Sequence, residues 1–166
     1  ELSRETKDIP ALWLSNISFD FDEETLIISG TGEIPKLDNA GDYPWSQYSM
    51  MTTAVYIVGV NSVSGNAFEN FMNLRFLMID SEMITIKKDA FANSDFLYTV
   101  VTFGNTVVEE GAFSRAKIYS ESGKTVSGYG SIEFSYSDNI VHFNGDVNVS
   151  KDDLYALIGA THYRYG

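Results

Sequence analysis

The chain contains no cysteine. Disulfides, thiolate metal sites and thiol nucleophiles are therefore excluded, while the compartment stays open. Cations are scarce: 11 Lys+Arg stand against 23 Asp+Glu, a net charge of −12. A field of that sign repels a nucleic-acid duplex and an anionic lipid surface, so nucleic acid is not an expected partner. The charge is uneven, with −7 on residues 1–50 and −5 on the rest. Long apolar runs are missing. The longest, about Ala54–Val60, falls far short of the roughly 20 residues of a membrane helix. The chain opens on Glu1 rather than Met. That reads as a trimmed or mature form from which any targeting segment has been removed.

Groups suited to chemistry are also few. His142 lies in "NIVHFNGD", where a half-exposed structural histidine on a strand is the expectation, and His162 lies near the chain end. No Ser-His-Asp set can be assembled from them. Glu109-Glu110 and Asp152-Asp153 are paired carboxylates without an apolar pocket to raise a pKa. They read as a solvated loop and as favourable charge at a helix N-terminus. "DFDEE" (Asp20, Asp22, Glu23, Glu24) is oxygen-rich but lacks the glycine and spacing of a calcium loop. It reads as an acidic hairpin turn. "SGTG" and "SGYG" lack the following helix that a phosphate loop needs. No catalytic residue, metal or cofactor is expected.

What the chain does have is 44% hydrophobic residues and a repeat. The dipeptide Ala-Phe recurs at Ala67-Phe68, Ala90-Phe91 and Ala112-Phe113, at intervals of 23 and 22 residues. On those anchors "NLRFLMIDSEMITIKKDAF" aligns without gaps to "DFLYTVVTFGNTVVEEGAF". Leu74 then falls on Phe96, Ile79 on Val101 and Ile86 on Val108. Within a unit, Leu74, Leu77 and Ile79 have the spacing of a short inward-facing strand. A strand with an irregular return every 20–29 residues is the pattern of a leucine-rich repeat, and such units stack. Ala90 should be small where a neighbouring unit's backbone passes, and Phe91 should fill the space between units.

The flanks differ. Ile17, Phe19 and Phe21 alternate with polar residues and turn at Glu23–Thr25 into Leu26–Ser29, which predicts a hairpin. A loop with Pro35, Gly41 and Pro44 leads to a short helix or turn holding Trp45. Ile132, Phe134 and Tyr136 alternate, and Asn144-Gly145 signals a tight hairpin. Ser150 with Asp153 resembles a capping box before a short helix carrying Leu154, Leu157 and Ile158.

The Ala-Phe anchors, their spacing and the head segment "SFDFDEETLIISGTGEIP…YPWSQY" resemble BspA-like (Treponema pallidum-type) leucine-rich repeats over roughly residues 13–116. One departure stands out. The family's Gly-Cys pair after the Phe is replaced by Asn70-Phe71, Asn93-Ser94 and Arg115-Ala116, which suggests looser packing toward the C-terminal end. The resemblance implies a bacterial cell-surface or secreted protein of host-associated Bacteroidetes, clostridia or spirochaetes. It implies adhesion or ligand binding rather than catalysis.

The expected fold is a β-rich, short leucine-rich-repeat solenoid forming a single domain over 1–166. It comprises an N-terminal β-hairpin cap and entry module (13–50), about three repeats (51–116) and a divergent C-terminal β/helix cap (117–166). If Leu77 and Ile79 face inward, Phe76 and Met78 face outward. By the gap-free alignment Tyr98 and Val100 share their columns, as do Thr53 and Val55. The candidate binding face is therefore Val55, Phe76, Met78, Tyr98 and Val100, beside Thr53, taking a protein or glycan ligand, host-derived ones included. Two readings compete with it: residues 117–166 cover this face, or a second copy does, in a structural spacer or self-assembling envelope unit.

Overall fold

A computed structural model describes residues 16–145, 148–150 and 152–154 of the protein. The first alternating run gives β1 (Ile17–Asp22), and the next apolar run gives β2 (Thr25–Gly30). They pair antiparallel around Glu23 and Glu24, with Glu23 at φ 61°. After β3 (Glu33–Ile34) the loop contains two single-turn 3-10 segments, Ala40–Asp42 and Ser46–Tyr48. Trp45 immediately precedes the second and is fully buried.

From β4 (Ala54–Val58) onward the chain alternates between two sheets. The larger receives β4, β6 (Phe76–Asp80), β8 (Thr99–Thr102) and β10 (Lys117–Glu121), all parallel. The smaller receives β5 (Ser62–Val63), β7 (Met83–Ile86), β9 (Asn105–Val108) and β11 (Val126–Ser127). Parallel neighbours need a long crossover, and here each crossover contains a strand of the opposite sheet. Parallel pairing runs past residue 116 through β10 to β12 (Ser131–Ser137), beyond the expected end of the repeats. There β13 (Ile140–Phe143) and β14 (Asn148–Ser150) add antiparallel. The protein is β-rich, with sheet orders β1-β2-β4-β6-β8-β10-β12-β13-β14 and β11-β9-β7-β5-β3.

One buried cluster joins the two sheets. Leu26, Val55, Leu77, Val100 and Ile118 enter it from the larger, and Ile34, Val63, Ile86 and Val108 from the smaller. The Ala-Phe pairs lie in the returns. Ala67, Ala90 and Ala112 are buried, and the amide of Phe68 donates to the carbonyl of Ala90 at 2.9 Å. Trp45, Phe68, Phe91 and Phe113 form a column with ring centroids 5.6, 4.9 and 5.3 Å apart. Tyr43 extends it at one end and Tyr129 at the other. Asn70 and Asn93 take the left-handed conformation, at φ 67° and 61°, which asparagine tolerates better than most residues. Phe71 and Ser94 next to them are buried, and packing loosens only at Ala116, which is half-buried.

The register differs from the gap-free alignment. Leu77 pairs with Val100 and Ile79 with Thr102, while Ile86 pairs with Val108 as expected. The turn between the sheets is one residue shorter after β8 than after β6. Gly104 makes this close passage feasible, since a Cβ there would lie 1.7 Å from the Ser81 carbonyl oxygen. The turn after β4 is shorter in the same way, at Gly59 (φ 84°). A slip of one residue reverses every side chain of a strand. The outward column is thus Ile27–Tyr56–Met78–Val101–Tyr119, and Val55 and Val100 belong to the inward column.

That outward face is largely covered. Ile27, Tyr56, Met78 and Val101 form a second buried cluster with Phe103, Phe134, Val141 and Leu154. Phe134 meets Phe103 edge-on at 5.4 Å, and Phe143 meets Tyr119 at 5.6 Å. The strands after residue 131 therefore share a core with the outward side of the central ones. Of the expected capping box, Ser150 Oγ accepts from the Asp153 amide at 2.9 Å, and Asp152–Leu154 are helical. Leu157, Ile158 and His162 lie outside the described residues.

Candidate binding surface

The expected face does not survive as a surface. Val55 and Val100 are buried in the inter-sheet core, and Met78 is buried in the second cluster. Phe76 is half-buried against that cluster. Only Tyr98 of the five is exposed, at 44%. The physical reason is the shifted register together with the covering C-terminal strands.

Exposed apolar side chains gather instead one step away, in the turns that lead into β4, β6 and β8. Met50, Met51, Met72, Phe96 and Tyr98 are 59, 51, 39, 51 and 44% exposed. Backbone bonds hold these turns side by side. Thr53 N donates to Glu24 O at 2.9 Å, Arg75 N to Thr53 O at 2.9 Å, Tyr98 N to Arg75 O at 3.3 Å, and Lys117 N to Tyr98 O at 2.8 Å. Asn73 Nδ2 adds a bond to Met50 O at 2.6 Å. The turns form a ridge along one end of the central strands. In order it carries Asp22, Glu23 and Glu24, then Met50 and Met51, then Met72 and Arg75, then Phe96 and Tyr98, then Arg115 and Lys117. Phe96 and Tyr98 touch edge-to-face with centroids 6.2 Å apart. The sequence signal was "SMMT", "FMNLR" and "SDFLY", each placed just before a strand.

The polar candidates are dispersed. Glu23 and Glu24 form the first hairpin turn, and Glu109 accepts a bond from the Lys88 amide at 3.0 Å. No group of three or more potential metal ligands converges among the described residues. His142 pairs across strands with Ser135, and its Nδ1 lies 2.7 Å from Asn148 Oδ1. The adjoining hollow of about 140 Å³ is lined by Glu133, Phe134, Ser135, His142, Phe143 and Asn144. It is too small to enclose a typical small-molecule ligand.

The chain matches no protein-family model, no curated protein and no solved structure. No helix among the described residues is long and apolar enough to cross a membrane.

Proposed function

We propose that this is a non-catalytic binding module, a short leucine-rich-repeat solenoid of the BspA-like kind, working at a bacterial cell surface or after secretion. The repeat reading is supported by the offsets of 22 and 23 residues at which β4 pairs with β6 and β6 with β8, and by the aromatic column through the returns. The observation that carries the binding reading is the ridge. Methionine and aromatic side chains, enriched at protein interfaces, stand exposed together on backbone that hydrogen bonds hold in place. A protein surface suits such a ridge better than a glycan, because its middle carries methionine and aromatic side chains and its ends carry charge of both signs.

The test is binding of the full chain to a panel of extracellular proteins and glycans. Replacing Met51, Phe96 and Tyr98 together by Ser should weaken binding to a protein ligand by at least about tenfold. The melting temperature should stay within a few degrees. The reading fails if neither a panel member nor a second copy of the chain binds, if only glycans bind, or if binding survives the triple substitution. A second reading, a self-assembling envelope unit, is favoured by the order of side chains along the same ridge.

A further inference from the structure

We infer that a second copy of this chain occupies the ridge, in a two-fold, antiparallel arrangement. The inference rests on the reading of the ridge as a binding surface and names its occupant. The order of groups along the ridge is the reason. Three acids (Asp22, Glu23, Glu24) stand at one end, and two bases (Arg115, Lys117) at the other, with Asp95 beside them, where its carboxylate accepts from Ser114 Oγ at 3.2 Å. Between them Met50 and Met51 lie on the acidic side of Met72, and Phe96 and Tyr98 on its basic side. Five adjacent strands at the usual spacing make the ridge about 20 Å long.

A two-fold axis through Met72 maps the two ends of this pattern onto their complements, while Arg75, on the axial strand, faces its own counterpart. Each acidic end meets a basic end. Met50 and Met51 of one copy meet Phe96 and Tyr98 of the other, and sulfur–aromatic contacts of this kind are favourable. Met72 meets its own counterpart on the axis. A parallel arrangement would set acid on acid and base on base. Closed two-fold pairing also uses one patch on both copies, as an isologous interface requires.

The net charge of −12 would oppose association of two copies almost anywhere else. On the ridge the opposition is smaller, because Arg75, Arg115 and Lys117 offset most of the charge of Asp22, Glu23, Glu24 and Asp95 there. A patch of this length is small beside standard interfaces, so the dimer should dissociate on dilution and in high salt.

The absence of cysteine allows a direct test by disulfide cross-linking of the full chain. Met72→Cys alone should yield a covalent dimer, since position 72 lies on the axis. Glu23→Cys alone should not, because the two copies of that residue are at opposite ends. Glu23→Cys mixed with Arg115→Cys should give the mixed dimer. Sedimentation supplies the second measurement. Glu23→Lys with Glu24→Lys should raise the dissociation constant about tenfold, as should Arg115→Glu with Lys117→Glu. Mixing the two charge-reversed chains should restore association. A monomer at the highest attainable concentration overturns the inference, as does cross-linking of Glu23→Cys alone or a dimer indifferent to both charge reversals. If the chain is monomeric while the Ser triple substitution still abolishes a foreign protein's binding, the binding reading stands and only the choice of occupant fails.

Discussion

Tyr43 shows how one side chain seals an end of the core. Its ring stacks on Trp45 at 5.5 Å and is almost fully buried. Its hydroxyl donates to Pro35 O at 2.6 Å and accepts from the Leu37 amide at 3.0 Å. Burial pushes the phenol from 10.0 up to about 12; the Asp42 charge pushes the same way, and the Leu37 hydrogen bond pulls it down. The folded state thus favours the neutral phenol. Its contribution is complete below about pH 10 and is lost as pH rises toward 12. Two units correspond to about 2–3 kcal/mol. Tyr43→Phe should be the less stable chain at neutral pH, because the Pro35 carbonyl and Leu37 amide lose a partner. Its disadvantage should shrink between pH 10 and 12, as read by denaturant unfolding at each pH. A gap constant with pH would mean that Tyr43 ionises freely in the fold. Ser94 fills a comparable role where the resembled family has cysteine. Its hydroxyl donates to Phe68 O at 2.9 Å and accepts from Phe71 N at 3.3 Å.

At the scale of the element, the central strands of the larger sheet were legible; the register was not, nor were the strands of the smaller sheet, which lie in returns expected to be irregular. The apolar run from Ala54 gives β4; β1 and β2 form the expected hairpin, and the Ala-Phe anchors pack where their spacing put them. These features rest on alternation and on bulky residues at fixed intervals, which a sequence displays directly. The outward face failed because the anchors reset the count in the returns, hiding a one-residue difference in turn length between strands. Gly59 and Gly104 mark those shorter turns, but a glycine in a turn does not announce its length. The hairpin at Asp138-Asn139, with φ 52° and 67°, also went unread. Both residues take the positive φ of a tight primed turn without the usual glycine. The element-scale prediction concerns Gly104→Ala. Its methyl group would collide with the Ser81 carbonyl and disturb the bonds Phe103 N–Ile79 O and Asn105 N–Glu82 O, both 3.0 Å. The cost should be at least about 2 kcal/mol. Gly130→Ala, with nothing within 4 Å, should change stability by less than about 0.5 kcal/mol. Equal effects from the two substitutions would show that the short turn does not set the register.

At the scale of the molecule, the larger sheet has a core on each side. Leu77 and Ile79 face the inter-sheet cluster, while Met78 between them faces the cluster shared with Phe134, Val141 and Leu154. A strand buried on both faces reads as a continuous apolar run, which is why "LMI" gave no alternation to distinguish its two sides. This construction ties the C-terminal strands to the central ones. Removing their contacts exposes one side of the strands whose other side holds the inter-sheet core. Phe134→Ala should therefore cost about 3–5 kcal/mol, in the range for a buried Phe. Its effect should not stay local. Hydrogen exchange under native conditions should show amides of β4, β6 and β8 losing protection together with those of β12 and β13, by the same free energy. If the central strands keep their full protection while β12 and β13 exchange faster, the second cluster is an independent appendage. In that case the outward face around Met78 opens without unfolding the repeats, and it returns as a candidate surface alongside the ridge.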